Sequence, residues 1–174
     1  CFVPYAIRGV LWDQGGNITG LGGVPQNVLM EALIPGWRKE WGIGDFPFLH
    51  IQKPSGGGCA YDPENPVNKG AYPWKESPKG RRGSGKAHGM RLVHIAIAKI
   101  KNAPLVQTSD LAHGQHPACK SGYGKRAARV ALGEVYGKDV ESSGPVYKSH
   151  TVEGNEVHVT FDHVGKGLTF AHSD

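Results

Sequence analysis

A chain of 174 residues, 39% of them apolar, is long enough for one domain with a real core, and its 26 glycines and 12 prolines demand many turns and long loops. The formal charge of +5 is modest, and the densest basic stretch, Lys79, Arg81, Arg82 and Lys86, lies among Gly and Ser with no aromatic side chain to stack on bases, which argues against a nucleic-acid partner. No run of about 18 apolar residues exists, which excludes a membrane-spanning helix, and Cys1, Cys59 and Cys119 are too few and scattered for a disulfide scaffold or a paired zinc motif.

An odd cysteine count leaves at least one thiol free or paired elsewhere. Residues 1–6 lack a basic region followed by an apolar stretch and a cleavage site, so no signal peptide is expected in this sequence. A start at Cys1 instead of Met suggests a processed or partial chain.

The apolar run Ile7 to Trp12 stops at the turn formers Asp13 to Asn17 and reads as a buried strand feeding a loop. From Pro25 to Trp41, Val28, Leu29, Leu33, Ile34, Trp37 and Trp41 recur at helical spacing, with Pro35 and Gly36 placed to kink or split the helix. Phe46 to Gln52 is a second strand. Pro54 to Gly85, rich in Gly, Pro, Lys and Asn and without a period, predicts a long surface loop bordering the site. Met90 to Ile100 predicts a mostly apolar helix and Leu105 to Ser109 a third strand. Ala118 to Tyr136 predicts a helix with Ala127, Val130, Ala131 and Val135 inward, Lys125, Arg126, Arg129 and Glu134 outward, and Gly137 as its C-cap. Tyr147 to Glu153 and Glu156 to Asp162 alternate around Gly154-Asn155, the signature of a two-residue hairpin.

Strands alternating with helices imply an α/β fold, a three-layer sandwich around a mainly parallel sheet with right-handed crossovers, followed by a C-terminal β-hairpin segment. The boundary falls near residue 140: an α/β part over 1–140, with a long loop at 53–86, then a β-rich part over 141–174. Ligands of such sheets gather beyond the carboxyl ends of the strands. The loops at Gln14 to Asn17, Lys53 to Gly58 and Asp110 to His116 therefore converge on one edge.

Two of these loops have chemical potential. Gln14-Gly15-Gly16-Asn17 offers backbone N–H groups and side-chain amides, the donors that hold a tetrahedral oxyanion, although the same residues build ordinary turns. Asp110 to Pro117 contains a carboxylate with His113 and His116, the components of a base and its orienting group; either histidine serves equally as an exposed loop residue. His113, His116, Cys119 and Cys59 match no standard zinc spacing, so no metal is expected. Gly56-Gly57-Gly58 lacks the Lys-Ser or Lys-Thr of a phosphate loop. Ser55, Ser121 and Ser143 sit in neither a Gly-x-Ser-x-Gly elbow nor a Gly-Asp-Ser motif, leaving no convincing nucleophile.

The segment Ala6-Ile7-Arg8-Gly9-Val10-Leu11-Trp12-Asp13-Gln14-Gly15 resembles the Ala-Ile-Arg-Gly-Val-x-Trp-Tyr-Gln-Gly signature of the sialate O-acetylesterase family, a branch of the SGNH hydrolases. Ile34 to Arg38, Phe46 to Phe48, Ser109 to Leu111, His116-Pro117, Ala127 to Leu132, Tyr136-Gly137, Ser143 to Pro145 and Val159 to Val164 follow in the family's order. The resemblance implies an SGNH/flavodoxin-like sandwich and removal of acetyl esters from sugars through a serine acyl-enzyme. It implies His116 as the base, Gly15 and Asn17 in the oxyanion loop, Gln14 shaping that loop, and a secreted or periplasmic setting. The chemistry needs no cofactor. The family's serine lies upstream of the Ala-Ile-Arg segment, so the nucleophile is expected on a part of the polypeptide, or on a second polypeptide, outside this sequence.

Two departures stand out. The family's Gln-Gly-Glu-Ser-Asn is one residue shorter here and lacks its acid, and the acid that usually precedes the His-Pro pair is replaced by Gly114. Asp110 is the nearby carboxylate: it either orients His116 or caps the strand end. The sequence thus supports a carbohydrate O-acetylesterase acting on an acetylated carbohydrate, with His116 and Asp110 as catalytic candidates. A rival reading is a non-catalytic carbohydrate-binding or structural remnant of the same fold.

Overall fold

The computed structural model describes residues 3, 5–14, 21–52, 64, 69, 85–111 and 120–168. Strands β1 (Val10–Trp12), β2 (Phe48–Ile51) and β3 (Leu105–Val106) form a parallel sheet in that order, with Val10 opposite Phe48 and His50 opposite Leu105. The three expected strands are thus neighbours and parallel, each shorter than the run that marks it in the sequence. Helices α1 (Gln26–Trp41) and α2 (Gly85–Ile97) follow β1 and β2, and α3 (Lys120–Val130) follows β3. All four residues of β2 are buried, as a central parallel strand covered on both faces requires.

Alternation along β2 divides the core. Phe48 joins Met30 and Ile34 of α1, Ile97 of α2, Phe46 and Ala103, with Trp12, Trp37 and Trp41 packed around them. Leu49 and Ile51 point the other way, against Val106, Leu111 and α3's Tyr123, Ala127 and Val130. Helices therefore lie on both sides of the sheet, the three layers of an α/β sandwich. Aromatic edges lock the first layer to β1, with Trp12 and Trp37 ring centroids 5.9 Å apart at 88°.

Helix α1 buries a different stripe from the apolar one in its sequence: Gln26, Met30, Ile34 and Arg38, four residues apart. Val28 stays 46% exposed. Arg38 is buried because its guanidinium has carbonyl partners in two loops, donating to Phe46 O at 2.9 and 3.1 Å, Lys101 O at 2.8 Å and Asn102 O at 3.2 Å. Pro35 does not split α1. It and Gly36 lie on the exposed face, where the carbonyl that loses its N–H partner remains accessible to water. The helix ends at Gly42, whose φ of 64° lets its N–H return to Arg38 O.

Helix α2 begins at Gly85 and stops at Ile97, earlier at both ends than the Met90 to Ile100 period indicates. Apolar spacing cannot register the polar first turns. At the other end, Lys99 N–H to Ala96 O and Ile100 N–H to Ile97 O tighten the chain, and Asn102 (φ 52°) turns it into β3. The last helix also departs from expectation. After Val130 it widens into a π-helical turn, Ala131–Val135, closed by Tyr136 N–H to Ala131 O at 3.0 Å, and Gly137 follows at φ 60°. The hairpin β4 (Val146–Glu153) and β5 (Glu156–Asp162) turns at Gly154-Asn155 as the sequence indicates. Both of its faces are exposed apart from half-buried Phe161.

The β1–β2 approach depends on Gly9. A Cβ there would sit 2.8 Å from the carbonyl oxygen of Pro47, which already accepts Val10 N–H at 2.8 Å. Neither partner is a flexible side-chain tip. Gly9→Ala is therefore expected to force the strands apart and cost about 1–3 kcal/mol in urea unfolding; an unchanged midpoint would show that β1 has slack.

Candidate functional site

Because the three strands are parallel, the residues that leave them, Gln14, Gln52 and Asp110, stand at one edge of the sheet. This is the carboxyl edge, where α/β folds place their ligands.

Gln14 is half-buried and its side-chain oxygen accepts two hydrogen bonds, from Trp12 Nε1 and Gln26 Nε2, both at 3.1 Å. The donors come from β1 and from the first turn of α1. Two N–H groups on one oxygen fix the amide's orientation and leave its NH2 as the end able to donate elsewhere. The polar pair at the head of a helix explains why Gln26 is buried.

Gln52 was not singled out by the sequence. It is 3% exposed, its backbone N–H donates to Val106 O at 2.9 Å, and its carbonyl accepts the Thr108 hydroxyl. Its side-chain Nε2 has no hydrogen-bond partner among the described residues. A buried amide donor without an acceptor is unfavourable by about 1–3 kcal/mol, and such groups call for an explanation. The sequence signal was available, a glutamine closing an apolar strand at the ligand-binding edge.

Asp110 is engaged by Arg126. The guanidinium's Nη1 and Nη2 meet the two carboxylate oxygens at 2.5 and 2.7 Å, and Nη1 also donates to Gln107 O at 2.9 Å. Sequence spacing puts Arg126 on the outward face of α3; in the structure its side chain is 23% exposed and bridges α3 to the turn after β3. This fork-to-fork pairing fixes both groups.

Gly15, Asn17 and His116, with His113, Cys59, Cys119 and nearly all of the 53–84 segment, lie outside the described residues. So do the expected proximity of His116 to Asn17 and the course of the long loop. Among the described residues no cluster of three or more His, Cys, Asp or Glu could hold a metal ion, and no helix is long and apolar enough to cross a membrane.

Two imidazoles stand apart from this edge. His50 of β2 and His94 of α2 are 1% and 3% exposed and stacked, with centroids 5.7 Å apart at 11°. His50 Nε2 lies 3.2 Å from His94 O, and neither Nδ1 has a partner among the described residues. Burial, reinforced for His50 by the neighbouring His94, pushes both down to about 4. They are neutral core groups.

No protein-family model matches this chain, and no curated protein matches it. Among solved structures, it is similar to a carbohydrate acetylesterase from Xanthomonas citri, with 23% identity over 92% of this chain and a TM-score of 0.66. The chain spans about a third (33%) of that protein's length. At this identity the likeness shows the fold alone, an α/β sandwich around a parallel sheet.

Proposed function

We propose that this chain is the histidine-bearing part of a carbohydrate O-acetylesterase, of the sialate O-acetylesterase kind within the SGNH hydrolases, which removes acetyl groups from sugars through a serine acyl-enzyme. The observation that carries the reading is the set of polar groups at the carboxyl edge of the sheet: Gln14 anchored by Trp12 and Gln26, the buried Gln52 Nε2 with no partner among the described residues, and Asp110 fixed by Arg126. The fold shared with an acetylesterase and the ordered sequence resemblance point the same way.

In this reading a serine outside the chain attacks the acetyl carbonyl carbon while its proton passes to the His116 imidazole. The carbonyl becomes an oxyanion, held by the Gly15 N–H and the Asn17 amide, with Gln14 setting the loop's start. Collapse expels the sugar oxygen, which takes the proton from His116, and leaves acetyl on the serine. Water then attacks the acetyl carbon with His116 again accepting a proton, and collapse returns that proton to the departing serine oxygen as acetate leaves. The setting proposed from the resemblance is secreted or periplasmic.

A second reading has a specific observation in its favour. Gly114 stands where the family has its acid, and Asp110 is taken by Arg126, which suits a carbohydrate-binding remnant.

Acetate release from an O-acetylated sugar separates these readings. The chain alone is expected to match the blank, and the chain together with the serine-bearing polypeptide to turn over and accumulate an acetylated serine detectable by mass spectrometry. Binding of the acetylated sugar by the pair with no acetate released would favour the remnant. Robust hydrolysis by the chain alone would overturn the external-serine reading and make Ser55 and Cys59 the nucleophiles to test.

A further inference from the structure

Helix α2 has few anchors on the sheet. Across 91–97 the buried side chains are His94 and Ile97, with Val93 half-buried, while Leu92 and Ile95 are 53% and 43% exposed. One of the two anchors is thus an imidazole, stacked on that of His50 in the central strand. A carbonyl can only accept, so the contact of His50 Nε2 with His94 O puts the His50 proton on Nε2 and leaves its Nδ1 bare. A second proton on either ring would bury a charge and an N–H donor that has no acceptor among the described residues.

No countercharge faces the pair. Strands β1 and β3 carry no titratable side chain within Val10–Trp12 and Leu105–Val106. In α1, buried Arg38 is taken by the carbonyls of Phe46, Lys101 and Asn102, and Glu31, Lys39 and Glu40 are exposed. In α2, Arg91 is exposed. The carbonyls of His94 and Ala103 favour a charged His50, but burial and the neighbouring imidazole outweigh them.

The two sides of the pair are not held equally. His50 belongs to a strand laddered on both edges, paired with Trp12 and Leu105, and its N–H donates to Pro104 O at 3.1 Å. Among the described residues α2 has only side-chain packing and the bond from His50 to its His94 carbonyl. From this arrangement we propose that α2 is an acid-released cover: it stays docked while both imidazoles are neutral, and when they charge, α2 leaves and β2 stays. Phe48 N–H donates to Asn102 O just past the end of α2, so the helix ends at the amino edge of the sheet and its first turn stands toward the carboxyl edge. His50 and Gln52 alternate onto the same face of the chain, so departure of α2 opens the side of the sheet that leads to the buried Gln52 amide. The release concerns access to that edge and holds whatever reaction occurs there.

Hydrogen exchange read by mass spectrometry at about pH 7.5 and about pH 5, corrected for the intrinsic pH dependence of amide exchange, tests the release. Expected at the lower pH is an α2 that exchanges as a unit, at least about tenfold ahead of α1 and β2, through an opening populated on the order of 10²–10³ times more than at the higher pH. His50→Leu and His94→Leu should each leave a rise of about 30-fold, one imidazole's share, and the double variant none. Should a variant fail to fold, the wild-type pattern still decides. A common exchange rate for α1, β2 and α2 at the lower pH would mean that charging the pair only unfolds the whole domain, and would overturn the proposal. So would α2 exchange that does not respond to pH, or a rise that the double variant retains.

Discussion

Acidification from about pH 7.5 to about pH 5 is expected to remove on the order of 4 kcal/mol of folding stability through His50 and His94 alone. Both are pushed from 6.5 down to about 4, chiefly by burial. The unfolded chain therefore binds more protons than the folded one between these values. The stability from neutral burial is complete above about pH 6.5 and is lost as pH falls toward 4. Two shifts of this size amount to roughly 3 kcal/mol each at full effect, a large part of the ~5–15 kcal/mol that holds a domain together. Exposures of 1% and 3% leave little solvent screening.

The measurement is the urea midpoint across this pH range. His50→Leu and His94→Leu should each flatten the acid limb by about half, and the double variant should remove most of it. The His94 carbonyl tolerates the loss of its His50 partner because it still accepts Ala98 N–H at 3.0 Å. Parallel curves for wild type and double variant would show that other groups set the acid limb. Asp45 is one such group: Lys101 holds its carboxyl below the usual range, so its contribution fades at lower pH, but it is fully exposed.

How much of this was legible in the sequence depends on the kind of signal. Strand order and direction followed from β and α segments alternating, and the hairpin from Gly154-Asn155, because both are local patterns with one low-energy solution. The edge that carries Gln14 and Asp110 was legible for the same reason. Pairing across distance was not. Arg126 sits at an outward position by spacing and turns inward because Asp110, 16 residues earlier, waits at the strand end. Gln26 and Arg38 broke the apolar pattern of α1, yet each is buried by partners that no helical period encodes: Gln14 for one, three loop carbonyls for the other. His50 within Phe48–Ile51 was the one polar residue in a fully buried strand, a readable sign of a core imidazole that periodicity alone does not interpret.

The largest expected effect on activity belongs to His116. In the enzyme assembled with its serine, His116→Ala should lower kcat/KM by about 10³–10⁴-fold, the usual contribution of a base that serves both acylation and deacylation. Asp110→Asn then distinguishes the two roles open to that carboxylate. If Asp110 orients the imidazole, loss of its charge should approach the effect of removing a triad acid, about 10³-fold or more, and should move the pH profile's acid limb. If Arg126 is its proper partner, the amide still accepts one guanidinium hydrogen bond, and activity should fall by less than about tenfold with the pH profile unmoved. The geometry favours the smaller effect, since both carboxylate oxygens already face Arg126 at 2.5 and 2.7 Å. Arg126→Met supplies the cross-check: in the structural case it should reproduce the Asp110→Asn loss, and the double variant should be no worse than either single one. Retention of full activity in His116→Ala would remove the serine–histidine mechanism and, with it, the reason to look for a nucleophile beside Gln14.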